Sequence, residues 1–255
     1  MSKSWMFSSR PRAGDRIRIF ALPYAGGTAS AYRAWLQMPG VQTSCVEYPG
    51  HGIRMAEPVT DDMGTLVTGL ADRMVDEIEG DYALFGHSMG AIVAFELAHA
   101  LQSRGVRSPL ALFVSGSQPP RNNGGDGGFQ LTDRGILERL ARLGATPLEL
   151  LSNPEMREHI ITTMRADGRA LENYAPTDES PLDLPLVAFG GDADPLVPVE
   201  TLQGWARFTT RPLRTDVRAG DHFYLSQHMS EIFTVMVRTA AIELGQRRRI
   251  VETRN

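Results

Sequence analysis

The stretch "ALFGHSMGAIVAFELA" (83–98) sets Ser88 between Gly86 and Gly90, where a short apolar run turns into a helical pattern. A serine at a helix start can be a plain N-cap, accepting one of the orphan N–H groups there. Strand, G-x-S-x-G and helix in succession describe something else: a tight turn that pushes the hydroxyl out as a nucleophile. A serine hydroxyl is a poor nucleophile at neutral pH and needs a base to take its proton. Of the six histidines, His51 and His87 flank turns, His99 and His159 fall in helical pattern, and His228 opens the last helix. His87 adjoins Ser88 in sequence, which does not put its ring beside the hydroxyl, so it reads as a structural residue of the turn. His222, in "AGDHFYL", follows the last strand pattern and is the expected base.

A base of this kind needs a carboxylate to fix its tautomer and to stabilise the imidazolium. The loop "GDADPLVP" supplies Asp192 and Asp194. Asp194 is preferred because Pro195 ends the turn, with Asp192 as the alternative; Asp221 reads as a surface neighbour of His222. The chain order Ser88, Asp194, His222 is the one expected of α/β-hydrolases. A tetrahedral oxyanion also needs donors. The backbone N–H of Met89, directly after the serine, is one candidate, and Ala25 in the glycine-bearing loop "LPYAGGTA" is the other. A phosphate-binding role for that loop is the rival, but the G-x-G-x-x-G and G-K-[ST] spacings are missing.

The elements that must position these residues are legible as alternation. Strand patterns fall at 16–23, 43–48, 82–86, 110–116, 185–190 and 213–219, and "SWMFSS" adds a candidate edge strand. Helical patterns lie between them at about 28–38, 62–79, 89–104, 198–208 and 228–245. Such alternation predicts a single α/β domain over 1–255 with a mostly parallel sheet flanked by helices. It breaks once, over 118–184, where no strand is expected. There "PPRNNGGDGG" reads as a hinge or a plain linker. Thr132 or Asp133 caps a helix with Ile136, Leu140 and Leu143 on one face, and a second helix carries Met156, Ile160 and Met164. An all-helical insertion between sheet strands predicts a lid over the strand ends. The tail "GQRRRIVETRN" reads as frayed.

Composition narrows the function classes. With 255 residues, 42% hydrophobic, 22% charged and a net charge of −4, the chain reads as an ordinary soluble globular protein rather than a nucleic-acid binder. No run approaches the roughly 18 apolar residues of a membrane span, and no signal-peptide core precedes the first strand, so a cytoplasmic location is expected. The single cysteine, Cys45, excludes an internal disulfide framework and reads as a buried strand residue.

Taken together, "LPYAGGTASAYRAW", "VEYPGHGIR", "ALFGHSMGAIVAFELA", "FGGDADPLVP" and "AGDHFYL" resemble the type II (external) thioesterases of polyketide and nonribosomal peptide assembly lines. His51 departs from that family, whose members more often carry arginine there. The resemblance implies an α/β-hydrolase fold with a helical lid. It also implies hydrolysis of acyl groups held as thioesters on the phosphopantetheine of an acyl or peptidyl carrier protein, to remove stalled or wrong units. It carries over Ser88 as nucleophile, His222 as base, Asp194 as orienter and the Ala25 and Met89 amides as oxyanion hole, with no metal or soluble cofactor and a monomeric enzyme. A basic lid face (Arg121, Arg134, Arg139, Arg142) would suit an acidic carrier, although solvated helix charges explain the same residues. The rivals are a carboxylesterase or lipase-like hydrolase, acyl transfer to an acceptor other than water, and a non-catalytic binding module that kept the fold.

Overall fold

A computed structural model describes residues 5–120, 132–143 and 151–253. Arg121, the glycine-rich stretch at 124–128 and the side chains of Arg142 and Leu143 lie outside the described residues. Seven strands form one sheet: β1 (Met6–Ser8), β2 (Ile17–Leu22), β3 (Gln42–Val46), β4 (Asp81–His87), β5 (Leu112–Ser115), β6 (Leu186–Gly191) and β7 (Arg214–Arg218). Their spatial order is β1-β3-β2-β4-β5-β6-β7. All neighbours are parallel except β1, which runs antiparallel to β3 with Met6 opposite Val46. The edge strand anticipated in "SWMFSS" is therefore present.

Period-two alternation sends side chains to two cores. Phe20, Leu22, Leu84, Leu112 and Leu186 face one side, beneath α1 (Met63–Val75) and α2 (Met89–Ser103). Ile19, Ala21, Phe85, Phe113, Val187 and Phe189 face the other, covered by Tyr32, Trp35 and the helix that ends the chain. Burying each Leu or Phe contributes about 1.5–3 kcal/mol, so both faces of the sheet are strongly held. Asp62 caps α1 by accepting the Thr65 N–H at 2.6 Å. The α2 helix is buried nearly all round, and its one enclosed charge, Glu96, accepts hydrogen bonds from Tyr174 Oη at 2.6 Å and from Thr177 Oγ1.

Two helices occupy the interval where the alternation breaks, α3 (Asp133–Leu143) and α4 (Pro154–Glu172). Thr132 caps the first, its Oγ1 accepting the Gly135 N–H, and Asn153 caps the second by accepting the Met156 N–H. Ile136 and Leu140 pack on Ile161 and Met164 in a small third core that also touches Ala25. Among the described residues of 118–184 there is no strand, only an isolated bridge from Leu182 to Thr209.

Two expectations need correction, while the helices expected at 28–38 and 198–208 are present as 3₁₀ segments, Ala29–Gln37 and Val199–Phe208. Their buried side chains recur every third residue (Ala29, Tyr32, Trp35; Leu202, Trp205, Phe208), the spacing that a 3₁₀ turn stacks on one face. Helix α1 stops at Val75 instead of running on toward residue 79. The last helix, α5 (Met229–Glu252), continues as far as Glu252 into the tail that reads as frayed. Arg247 explains this: it donates to the Ser108 and Pro109 carbonyls at 2.8 and 2.6 Å and pairs with Glu243, fastening the extra turns to the body. Among the described residues no helix is long and apolar enough to cross a membrane.

Candidate active site

Following β3 the chain crosses β2 to build β4, so the strand order reverses between β2 and β4. That switch point opens a crevice at the strand C-termini, where ligands bind in open α/β sheets. Ser88 follows β4 and the 23–28 loop follows β2, one on each side of it.

Ser88 has φ 55° and ψ −119°, and is the only non-glycine residue with positive φ among the described residues. A conformation of this kind costs about 1–3 kcal/mol and persists only where its surroundings enforce it. Here they do. The Ser88 N–H donates to the Ser115 carbonyl at 2.8 Å, tying the turn to β5. A Cβ at Gly86 would overlap the Gly90 carbonyl, and one at Gly90 would overlap the Leu22 carbonyl. Ser88 stands at the N-cap of α2, yet its side chain makes no capping hydrogen bond. Its hydroxyl instead donates to His222 Nε2 at 3.1 Å.

His222 is 3% exposed, and its Nδ1–H donates to Asp194 Oδ2 at 2.8 Å. A carboxylate only accepts, so the proton sits on Nδ1 and leaves the Nε2 lone pair toward Ser88. Asp194 is itself fixed: its Oδ1 accepts the N–H groups of Leu196 at 2.8 Å and Val197 at 3.2 Å. Asp192 turns away and accepts the Gly220 N–H at 2.9 Å, while Asp221 accepts the Phe223 N–H. The structure thus brings Ser88, His222 and Asp194 into one hydrogen-bonded line and leaves Asp192 outside it.

His87 packs its ring 5.1 Å from that of His222. Burial, and then the neighbouring His222 charge, hold its pKa well below the ordinary histidine value. Its Nδ1 meets Ser115 Oγ at 2.9 Å, and Ser115 Oγ meets Tyr224 Oη at 2.6 Å. A neutral His87 ring places no positive charge against the His222 ring.

Met89 is the first residue of α2, so its N–H belongs to the group that a helix leaves unpaired at its start. Ala25 lies across the crevice in a turn closed by the Gly27 N–H on the Tyr24 carbonyl, at 2.8 Å. A cavity of about 320 Å³ opens beside this loop, between Ala25 and Phe223 on the body and Leu140, Met156, Ile160 and Met164 on α3 and α4. Apolar walls of this kind suit an acyl chain. Arg134, a candidate basic lid residue, is paired with Glu138 of its own helix. Among the described residues no cluster of three or more His, Cys, Asp or Glu side chains is disposed to hold a metal.

One residue near the site escaped the sequence reading. Asp167 of α4 is 3% exposed and accepts the Gly26 N–H at 2.6 Å. Its signal was an acid three residues after Met164 and seven after Ile160, on the apolar stripe of its helix.

Residues 17–239 match the family described as Thioesterase domain. Thioesterase PikA5 of Streptomyces venezuelae is 35% identical over 236 residues, covering 89% of this chain and 82% of its own. Among solved structures, the type II thioesterase BorB from the borrelidin biosynthetic cluster superposes with a TM-score of 0.84 at 32% identity, covering 94% of this chain and 99% of BorB. ClbQ from the colibactin NRPS/PKS pathway gives 0.81 at 34% identity, over 90% and 98% of the two chains. The chain belongs to the thioesterase-domain family, and within it to the type II thioesterases, hydrolases of thioesters.

Proposed function

We propose that this enzyme removes acyl groups from phosphopantetheinyl carrier proteins of a polyketide or nonribosomal peptide assembly line, clearing stalled or aberrant units. The observation that carries the reading is the line from Ser88 Oγ through His222 to Asp194 at the sheet switch point, beside an apolar cavity. Relatives drawn from a borrelidin cluster and a colibactin pathway support a carrier-bound substrate.

In the first half-reaction Ser88 Oγ attacks the thioester carbonyl carbon as His222 Nε2 takes the hydroxyl proton. The Met89 and Ala25 N–H groups hold the resulting oxyanion, and losing one such donor typically costs about 10²–10³ in rate. The C–S bond breaks, the sulfur takes the proton from His222, and the carrier leaves as free thiol. His222 then accepts a proton from water, whose oxygen attacks the acyl-serine. Collapse returns that proton to Ser88 Oγ and frees the acid. Asp194 orients the ring throughout and stabilises the imidazolium. Every proton in the cycle moves between groups of this chain, substrate and water, so the reading requires no metal or soluble cofactor. α3 and α4 serve as the lid that shapes the acyl chamber.

The test compares release from an acyl-carrier protein, the matching acyl-CoA and a p-nitrophenyl ester, each with wild type and Ser88→Ala. Faster Ser88-dependent release from the carrier supports the proposal. Rapid cleavage of the oxygen ester with an untouched carrier identifies a carboxylesterase instead.

A further inference from the structure

Asp167 sits where a solvated helix residue would not. Its Oδ2 accepts the Gly26 N–H at 2.6 Å and faces His51 Nε2 at 3.0 Å, with both side chains almost fully enclosed. The other ring nitrogen, His51 Nδ1, faces the Pro49 carbonyl oxygen at 2.9 Å. A carbonyl and a carboxylate both accept only, so each ring nitrogen must carry a hydrogen. Only the imidazolium satisfies both at once.

Gly26 has φ 70°, and a side chain there would run into the Met164 sulfur, so α4 lies directly on this peptide. Fixing the Gly26 N–H fixes the planar peptide that joins it to Ala25 and leaves two soft torsions between that anchor and the Ala25 N–H. The far end of the same loop is held likewise: Glu47 Oε1 accepts the Ala29 N–H at 3.0 Å.

We propose that Asp167 is a positioning residue for the oxyanion loop, and that a protonated His51 is the counter-charge that holds Asp167 in place. The proposal rests on the serine-hydrolase reading of Ser88 and Ala25 above.

The groups around His51 are consistent with a cation. From α4 come Asp167 and, in the wall of the same cavity, His159. After β3 come Glu47 and Tyr48, the latter edge-on to the ring at 5.7 Å. Arg54 is committed to Glu57 at 2.6 Å and to the Glu47 carbonyl at 3.0 Å, and Tyr24 lies across the cavity. Burial draws the His51 pKa down, but the charge and hydrogen bond of Asp167, then the Pro49 carbonyl and Glu47, outweigh it and leave it raised. A raised histidine pKa means that the pair is fully formed below the ordinary value and is lost as pH rises through the folded one. Loop positioning therefore weakens on the alkaline side.

The test follows the rate of Ser88 phosphonylation by a fluorophosphonate from pH 6 to 10 in wild type, His51→Gln and Asp167→Asn. Nitrogen NMR of the His51 ring in the wild type runs alongside and needs no variant to fold. The proposal expects hydrogen on both ring nitrogens at pH 6.5 and a labelling rate that falls on the alkaline side with the His51 midpoint. Asp167→Asn keeps an oxygen for Gly26 but removes the charge, so its midpoint moves to lower pH. His51→Gln loses that midpoint and labels more slowly, by no more than about the 10²–10³ of a lost oxyanion donor. A bare His51 nitrogen at pH 6.5, or an alkaline limb unchanged in both variants, overturns the proposal and leaves the serine-hydrolase reading intact. Absence of wild-type labelling at every pH removes that reading, and this proposal with it.

Discussion

The backbone of Gly90 lies against the end of β2, so closely that a Cβ there would fall 2.6 Å from the Pro23 carbonyl oxygen. The serine turn and the loop bearing Ala25 are therefore in direct contact, and the distance between Ser88 and Ala25 is set by a missing side chain. Gly90→Ala is expected to separate them. Overpacking of this kind costs about 1–3 kcal/mol, and misplacing the reacting groups by an ångström costs about 10² in rate. A thermal melt and a thioester assay on the same preparation check both halves.

The two loop aspartates are expected to part company on mutation. Asp194→Asn leaves the wrong hydrogen-bonding partner for His222 Nδ1 and is expected to lower kcat by about 10⁴, the scale measured for the equivalent change in a serine protease. Asp192→Asn disturbs only the Gly220 N–H contact, worth about 1 kcal/mol of stability. Parallel kinetics and urea melts on the two variants would expose the assignment as wrong if Asp192→Asn were the more damaging to kcat.

His87 gives the folded protein an acid weakness. Its pKa is lowered on folding, so below the ordinary histidine value of about 6.5 the unfolded chain takes a proton that the native ring refuses. Its contribution to stability is present at pH 7.5 and declines as pH falls through that value. Urea denaturation at pH 7.5 and 5.5 should show a smaller loss for His87→Asn than for wild type. Equal losses would mean that the buried ring does accept a proton.

Cys45 should be chemically silent while the protein is folded. It lies fully buried in β3, where burial and then Glu47 push its thiol up to about 12. Thiolate is the reactive form. Iodoacetamide at pH 8 is expected to leave the native protein unmodified and to add one equivalent in urea. Modification at the same rate in both conditions would contradict the buried placement.

The strands and the serine turn were legible because each has a local sign: apolar runs, period-two faces, a glycine at 86 that the packing of β4 against α2 demands and one at 90 that the approach of α2 to the end of β2 demands. The preference for Asp194 over Asp192 also had a local cue in Pro195, but the geometry that separates them arises only when β6 and the 219–224 loop meet. The 3₁₀ segments were written in the three-residue spacing of Tyr32 and Trp35, which is easily read as part of a helical face. The apolar stripe of α4 marks Asp167 as enclosed, but its pairing with His51 spans 116 residues and nothing local names the partner. Only the folding of α4 onto the 23–28 loop creates it. The ordered tail was missed for the same reason, since Arg247 finds its carbonyl partners at residues 108 and 109.

The central claim is that Ser88 itself carries the acyl group between carrier and water. Mixing the enzyme with an acyl-carrier protein, quenching within milliseconds to seconds and weighing the intact chain tests it most directly. The account predicts a transient mass increase equal to the acyl group, mapped to the peptide that contains Ser88 and absent from Ser88→Ala. Discharge of the carrier by Ser88→Ala at the wild-type rate, with no adduct on either protein, would contradict it.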